Sequence, residues 1–141
     1  MVLYAKDIMK NYTRTFPANL TALEGAKVMQ QDHVGFLIVS DSSGKPTGIV
    51  TEWDYISKVV AAEKDSRKVT IGEIMNNGII SVEADTPTEK VTIIMGKNLI
   101  RRIPVFDNGK LIGVITSRDI IRIFKDYMDS ISDIIARFGN F

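Results

Sequence analysis

The chain has 141 residues, 45% of them hydrophobic and 25% charged, a composition typical of a soluble globular protein. Its 18 lysines and arginines nearly balance 17 acids, and the net charge of +1 predicts no bulk attraction to nucleic acid or anionic lipid. The absence of cysteine excludes disulfides and thiolate metal sites. With neither a signal-peptide pattern nor an apolar run of membrane length, we expect a cytoplasmic protein of one domain or two small halves.

An internal repeat organises the sequence. Gly-Ile-Val-Thr-Glu-Trp-Asp at residues 48–54 recurs as Gly-Val-Ile-Thr-Ser-Arg-Asp at residues 113–119. Asp-Ile-Met at residues 7–9 likewise matches Glu-Ile-Met at residues 73–75. We place repeat 1 with a polar linker (residues 61–68) at residues 1–68. Repeat 2 then covers residues 69–125, and a C-terminal extension covers residues 126–141.

Helix signals occupy equivalent places in the two repeats. In repeat 1, Thr21 and Glu24 form a capping box, and apolar residues follow at helical spacing. In repeat 2, a short strand at residues 79–82 precedes a helix with Thr86 as N-cap, Pro87 in the first turn and Glu89 completing a capping box.

A hairpin follows the helix of repeat 2. Residues 103–106 and 111–115 are predicted strands around the turn Asp-Asn-Gly-Lys, and a second helix begins near Ser117. Each repeat is therefore predicted as strand, helix, strand, strand, helix. A unit of about 60 residues buries too little surface to be stable alone, so we expect an α/β (α+β) fold in which the two repeats pack sheet to sheet.

The C-terminal extension is predicted to continue the last helix as an amphipathic one. Two interpretations stay open: the helix packs on its own repeat, or it forms a subunit or partner interface. Its apolar residues recur at steps of three and four: Ile120, Phe124, Tyr127, Met128, Ile131, Ile134, Ile135 and Phe138.

The repeat resembles the tandem CBS-domain family, named after cystathionine β-synthase, whose paired form is called a Bateman module. The resemblance rests on the two Asp/Glu-Ile-Met segments, on Ile-Pro-Val-Phe-Asp at residues 103–107, and on the doubled Gly-x-x-Thr-x-x-Asp motif. Repeat 1 departs from the family pattern, since Ile38 replaces the usual proline and Gly35-Phe36 replaces the polar pair that often precedes it. The resemblance implies a CBS-domain pair of two β-α-β-β-α repeats.

The resemblance also implies two nucleotide-binding clefts, each taking Thr and Asp from one repeat and a wall from the other. Cleft A would consist of Thr51, Trp53, Asp54, Ile79, Ile80, Arg101, Arg102 and Pro104. Cleft B would consist of Thr13, Arg14, Gly35, Phe36, Thr116, Ser117, Arg118 and Asp119.

The residue chemistry suits an adenine nucleotide. A threonine where a strand passes into a helix offers donors to a phosphate. A carboxylate accepts from both hydroxyls of a ribose diol. Arg101 and Arg102 present planar donors to phosphate, which favours cleft A for a phosphorylated ligand. The alternative is structural, with Thr51 acting only as an N-cap and Asp54 favouring the helix dipole without a ligand.

Two single residues have structural alternatives as well. Trp53 could cover a cleft, stack on a base or simply pack. His33, the sole histidine, is predicted at a helix end, where a cation is favoured without any catalytic or metal-binding role.

The resemblance and the residues together favour a stand-alone regulatory module. The ligand would be AMP, ADP or ATP, with S-adenosylmethionine or NAD less favoured, and occupancy would be transmitted to an unknown regulated protein or to a homodimer. No nucleophile–base pair, metal cluster or catalytic cofactor is expected, so the chain is predicted not to be an enzyme. Nucleic-acid and membrane binding are disfavoured by charge. A structural or interaction module using the C-terminal helix, without ligand, remains the alternative.

Overall fold

The computed structural model describes residues 2–139, and within it the chain divides into two compact units. The central unit is Arg14–Ile79, and the terminal unit combines the segment through Thr13 with the segment from Ile80 onward. The predicted boundaries at residues 68 and 125 follow the sequence repeat, whereas packing divides the chain after Thr13 and after Ile79. Each unit contains one mixed sheet with helices, which confirms the predicted α/β (α+β) class.

The secondary structure repeats the same order of elements in the two halves of the sequence. Among residues 2–139, no helix has the length and apolarity needed to cross a membrane. The elements are α1 (Ala5–Ile8), β1 (Thr15–Pro17), α2 (Ala22–Asp32), β2 (Phe36–Ser40), β3 (Pro46–Thr51), α3 (Glu52–Tyr55), the π-helix π1 (Ile56–Val60), α4 (Ile71–Ile74), β4 (Asn76–Asn77), β5 (Val82–Glu83), α5 (Thr88–Asn98), β6 (Arg102–Asp107), β7 (Lys110–Thr116) and α6 (Ser117–Phe138).

The two sheets share one topology. In the central unit the strand order is β1-β2-β3-β4, with β1 parallel to β2 and the other pairs antiparallel. In the terminal unit the order is β5-β6-β7, with β5 parallel to β6. A bridge between Lys10 and Val114 occupies the place that β4 has beside β3.

Local sequence signals account for most element boundaries. The Asn-Gly hairpin is confirmed, because Asn108 and Gly109 have φ values of 49° and 79° between paired Asp107 and Lys110, as a type I′ turn requires. The Thr21 capping box is also confirmed, since the Glu24 amide donates to Thr21 Oγ1 over 3.1 Å. The Thr21 amide donates in return to Glu24 Oε2 over 3.0 Å.

Two boundaries in repeat 2 differ from the prediction. Thr86 is not the N-cap of α5, because Pro87 takes that position without a side-chain cap and the Thr86 amide donates instead to Glu83 O in a turn. The short strand before α5 lies at Val82–Glu83 rather than at residues 79–82, because Val82 is the residue that pairs with Val105 of β6.

The short helices α1 and α4 each pack in the unit formed mainly by the other repeat. Ala5 and Ile8 of α1 lie in the core of the terminal unit. Ile71 and Ile74 of α4, which occupy the equivalent positions in repeat 2, lie in the core of the central unit. The repeats therefore exchange their first segments.

The predicted linker at residues 61–68 belongs to the central unit and is not the connection between units. It carries the chain from π1 to α4, and both of these helices pack in that unit. The amide of Leu23 donates to Ser66 O over 2.9 Å, which holds the segment against the start of α2.

The glycine of each repeated motif is the point at which the exchanged segment crosses a strand. A β-carbon on Gly48 would lie 2.6 Å from Met75 Sδ and 3.0 Å from Asn76 O. A β-carbon on Gly113 would lie 2.6 Å from Met9 Sδ and 2.5 Å from Lys10 O. A β-carbon at either position would displace the methionine side chain and, at Gly113, the backbone of Lys10 as well. The Ile-Met segment and the Gly-x-x-Thr-x-x-Asp motif therefore depend on each other.

Replacing either glycine with alanine should therefore destabilise its unit. We expect Gly48→Ala and Gly113→Ala to lower the free energy of unfolding by about 1–3 kcal/mol, the usual range for overpacking. Gly96→Ala is the matched control, because a β-carbon there meets no atom within 4 Å and alanine is the better helix former. Urea unfolding of the three variants checks the prediction, and equal stability of all three would contradict it.

Candidate functional site: two buried carboxylate clusters

Asp54 is a buried carboxylate at the junction between β3 and α3, with only 3% of the residue exposed. Its Oδ2 accepts from the Thr51 amide over 2.8 Å, from Thr51 Oγ1 over 3.1 Å and from Asn76 Nδ2 over 2.9 Å. Its Oδ1 pairs with Lys58 Nζ over 2.9 Å. We call Thr51, Asp54, Lys58 and Asn76 the Asp54 cluster.

Asp119 occupies the equivalent place at the junction between β7 and α6 and is fully buried. Its Oδ2 accepts from the Thr116 amide and from Thr116 Oγ1, each over 2.8 Å. Its Oδ1 accepts from Arg122 Nη2 over 3.1 Å and lies 3.9 Å from Lys10 Nζ. We call Thr116, Asp119, Arg122 and Lys10 the Asp119 cluster.

The donors around each carboxylate compensate for its burial. Moving a carboxylate out of water is strongly unfavourable unless hydrogen bonds and a cation replace the lost hydration. Thr51 and Thr116 are the N-caps of their helices, and each threonine–aspartate pair forms a capping box, so the position that the structural alternative gave to Thr51 is confirmed. The carboxylates are satisfied within their own units.

The exchanged segments supply one member of each cluster. Asn76 directly follows Ile74-Met75, and Lys10 directly follows Ile8-Met9, so the two residues are equivalent in the repeat. Lys58 lies four residues after Asp54, and Arg122 lies three residues after Asp119, where helix geometry brings side chains together. None of these four residues was predicted from the sequence. Their position after the repeated Ile-Met and their helical spacing were the signals that could have identified them.

Four predicted cleft residues lie beside the threonine of their own repeat: Arg101, Arg102, Gly35 and Phe36. Arg102 pairs with Thr116 across the β6–β7 ladder, and the Ser117 amide donates to Arg101 O over 2.8 Å. In the central unit, Phe36 pairs with Thr51 in the same way, and the Glu52 amide donates to Gly35 O over 3.1 Å. The grouping of Arg101 and Arg102 with Thr51 in cleft A, and of Gly35 and Phe36 with Thr116 in cleft B, stays a prediction.

Several other predicted cleft residues lie outside the two clusters. Arg14 is paired with Asp32 over 2.6 Å and lies over the Phe16 ring at 5.1 Å. Ile79 and Ile80 precede β5 and belong to no strand. Pro104 is buried in β6, whereas Thr13 and Arg118 are exposed.

Trp53 and His33 are both exposed. Trp53 has 69% of its surface accessible, so the packing role considered for it is wrong within the described chain. His33 is the C-cap of α2 with a left-handed φ of 53°, which confirms its predicted position at a helix end. Within residues 2–139, no group of three or more histidines and acids is placed to hold a metal ion.

Tyr55 fixes the helix that carries Asp54. Its hydroxyl donates to Ala22 O of α2 over 2.7 Å. Gly25 of α2 leaves room for this hydroxyl, because a β-carbon on Gly25 would lie 2.5 Å from the Tyr55 hydroxyl oxygen. Burial raises the pKa of Tyr55 to about 12, because the charged form is poorly hydrated there.

The CBS-domain family model matches the chain twice, over residues 5–61 and 71–126, which together cover most of it. The chain belongs to the CBS-domain family. The two matched segments are the two repeats, so the chain is a CBS-domain pair, which is a regulatory module. The resemblance inferred from the repeated motif is confirmed.

Solved structures of other CBS proteins share the fold. One is a CBS domain pair in complex with 5′-methylthioadenosine and S-adenosyl-L-methionine; it is 34% identical, with a TM-score of 0.81 over 90% of this chain and 99% of that one. Hypoxic response protein 1 of Mycobacterium tuberculosis was solved with two coordinated zinc ions; it is 28% identical, with a TM-score of 0.75 over 85% of this chain and 98% of that one.

A curated relative is much longer than this chain. The L-aspartate semialdehyde sulfurtransferase of Methanocaldococcus jannaschii is 36% identical over 124 residues, which cover 87% of this chain. The chain spans 23% of that enzyme's length. Likeness to so small a part of the enzyme shows the CBS pair and transfers no catalytic activity.

Removing the Asp54 carboxylate should destabilise the central unit. Asp54→Ala removes the acceptor of the Thr51 amide and leaves Lys58 Nζ and Asn76 Nδ2 with only their backbone acceptors, Ile74 O and Ile49 O. We expect the free energy of unfolding to fall by about 2–3 kcal/mol. The control is Asp129→Ala, which removes only an exposed pair with Lys125. Denaturant unfolding should separate the two variants, and the prediction fails if Asp54→Ala is as stable as the control.

The raised pKa of Tyr55 predicts a loss of stability at high pH. Because the folded protein holds the Tyr55 proton more tightly than the unfolded chain, with its pKa of 10.0, this stabilisation is complete below pH 10 and is lost as the pH rises towards 12. Tyr55→Phe should show a smaller decline in unfolding free energy over that range. If the unfolding free energy of both proteins declines equally between pH 10 and 12, Tyr55 is not responsible for the loss of stability.

Proposed function

We propose that this CBS-domain pair is a non-catalytic regulatory module that binds an adenosyl ligand, with Asp54 and Asp119 as the groups that accept the ribose hydroxyls. AMP, ADP or ATP and the uncharged or zwitterionic adenosyl compounds are the candidate ligands. Occupancy would be transmitted to a regulated partner protein.

The observation that carries the proposal is the unequal state of the two oxygens on each buried carboxylate. Oδ2 accepts hydrogen bonds from the amide and the hydroxyl of the threonine that lies where the strand passes into the helix. Oδ1 is held by a basic side chain that reaches solvent: Lys58 is 42% exposed and Arg122 is 55% exposed.

Such a carboxylate can change partners without losing its compensation. A ribose hydroxyl that donates to Oδ1 replaces the hydrogen bond from Lys58 or Arg122. In the Asp119 cluster, the displaced Arg122 then becomes available to the phosphate groups of a ligand. After the exchange both carboxylate oxygens keep a hydrogen bond, and the basic side chain stays within about one helical turn of the charge that it compensates.

The two clusters differ in charge, and this favours different ligands. The terminal unit places Arg101 and Arg102 next to Thr116, and its Asp119 cluster contains Arg122 and Lys10. The Asp54 cluster has Lys58 as its cation, and Gly35 and Phe36 lie beside Thr51. We assign phosphorylated ligands to the Asp119 cluster and ligands such as 5′-methylthioadenosine to the Asp54 cluster.

The solved CBS domain pair that is 34% identical supports an adenosyl ligand, since that protein was crystallised with 5′-methylthioadenosine and S-adenosyl-L-methionine. Our assignment of phosphorylated ligands differs from the sequence-based one, which grouped Arg101 and Arg102 with Thr51. The contributions of Ile79, Ile80 and Pro104 remain as predicted from the resemblance.

Calorimetric titration with AMP, ATP, NAD, 5′-methylthioadenosine and S-adenosylmethionine tests the proposal. Asp119→Asn should weaken AMP binding at least tenfold, and Asp54→Asn should do the same for 5′-methylthioadenosine. Asp133→Asn, on the exposed surface of α6, is the matched control and should bind as the unaltered protein does. Absence of binding by every compound, or equal binding by all three variants, would reject the proposal.

A further inference from the structure

Lys10 is the one member of the two carboxylate clusters that is not hydrogen-bonded to its aspartate. The other donors of the clusters lie within 3.1 Å of a carboxylate oxygen. Lys10 Nζ lies 3.9 Å from Asp119 Oδ1, and 57% of the Lys10 side chain is exposed. Among residues 2–139, no closer acceptor holds this ammonium group. Lys10 therefore keeps its donors available beside a proposed ligand site.

The residue equivalent to Lys10 in the central unit is already bound. Asn76 Nδ2 donates to Asp54 Oδ2 over 2.9 Å and lies 3.4 Å from Ile49 O. Its amide carries no charge and is committed to the buried carboxylate and the neighbouring strand. The exchanged segment thus completes the Asp54 cluster, whereas in the Asp119 cluster it supplies a cation without a firm partner.

Asp119 does not need Lys10 for its own compensation. Thr116 and Arg122 already donate to its two oxygens. A loose ion pair with an exposed lysine contributes little, because water screens it. A phosphate offers stronger acceptors, since a charge-assisted hydrogen bond is roughly twice as strong as a neutral one. Lys10 can therefore turn to a phosphate without leaving a buried charge unsatisfied.

The main chain of Lys10 places its side chain on the ligand-binding face. Lys10 and Val114 exchange two backbone hydrogen bonds, with N–O distances of 2.9 and 3.0 Å. Opposite residues of an antiparallel pair project to the same face, and so do alternate residues of one strand. Val114 and Thr116 alternate in β7, so Lys10 shares a face with the threonine at the start of α6. The amides at that helix start favour a phosphate on the same side.

The segment that carries Lys10 would gain a contact only when a phosphorylated ligand is bound. Three of its amides donate to the rest of the terminal unit over 2.8–3.0 Å: Ala5 to Thr86 O, Lys6 to Ala84 O and Lys10 to Val114 O. A bond from the Lys10 side chain to the ligand adds to these attachments. By linkage, a ligand that is held by the segment also holds the segment in place.

We propose that Lys10 selects ligands with a 5′-phosphate at the Asp119 cluster, and that such a ligand holds residues 4–10 more firmly to the terminal unit. This inference rests on the proposed function, because Asp119 must accept the ribose of the same ligand. Asn76 has no charge to make this selection at Asp54. The segment of residues 4–10 is then the element that distinguishes phosphorylated from unphosphorylated adenosyl ligands.

Calorimetric titration with AMP and adenosine tests the selection, because the two compounds differ only by the phosphate. The Asp54→Asn background leaves the Asp119 cluster as the ligand site. In that background, Lys10→Met should weaken AMP binding at least tenfold and adenosine binding less than twofold. Lys6→Met is the matched control and should change neither affinity. It removes the same charge from the same segment, at a lysine that lies over the Tyr4 ring at 5.8 Å.

Amide hydrogen exchange tests the tightening of the segment. In the Asp54→Asn protein, the amides of Ala5, Lys6 and Lys10 should exchange at least fivefold more slowly when saturated with AMP than when saturated with adenosine. Lys10→Met should abolish this difference. The amides of Ala22 and Ile71, which are hydrogen-bonded within the central unit, are the internal reference and should exchange equally with both ligands.

Two results would overturn the inference while leaving the proposed function intact. One is an equal loss of AMP and adenosine affinity in Lys10→Met, which would make Lys10 a structural residue only. The other is equal exchange of the segment amides with both ligands. Failure of both compounds to bind would instead reject the proposed function, and the inference with it.

Discussion

Each unit buries a carboxylate where a strand passes into a helix, and this charge must be compensated by donors from its surroundings. Around Asp54 the donors come from three parts of the chain: Thr51 at the end of β3, Lys58 in π1, and Asn76 in the segment that repeat 2 contributes. The strand, the helix and the exchanged segment therefore meet at one charge. The adjacent crossing at Gly48, which has no room for a β-carbon, brings Asn76 within reach of Asp54.

The repeat preserves this arrangement while changing the residues that complete it. Lys10 stands where the central unit has Asn76, and Arg122 acts on Asp119 as Lys58 acts on Asp54. The acidic group and its threonine are constant, whereas the donors that reach Oδ1 differ in number, charge and shape. Two sites derived from one motif can thus bind related ligands that differ in charge. The two sites share the carboxylate and differ in their cations, so the cations determine which ligand each site prefers.

The sequence predicted the features that depend on neighbouring residues. The Thr21–Glu24 cap and the Asn108-Gly109 turn are local, and both are confirmed. The prediction of Thr86 as the N-cap of α5 was wrong because Pro87 occupies that position, and either residue suits a helix start. The exchange of α1 and α4 was not predictable, since a repeat of equal segments does not say which copy a segment packs against. Asn76 and Lys10 were missed for the same reason, whereas Lys58 and Arg122 lie at helical spacing from their aspartates and could have been identified from the sequence. The amphipathic character of α6 was evident, but whether its apolar face is covered depends on packing.

The central claim is that the carboxylate of Asp54 passes from Lys58 to a ribose hydroxyl when a ligand binds. The most direct test is the NMR signal of the Lys58 side-chain Cε, assigned with a Lys58→Arg variant, before and after saturation with 5′-methylthioadenosine. The account predicts that the signal moves on saturation, because Lys58 Nζ then keeps only its hydrogen bond to Ile74 O. In Asp54→Asn the signal should already lie at the shifted position and should not move on saturation. A saturated protein in which the Lys58 signal stays at its ligand-free position would contradict the account.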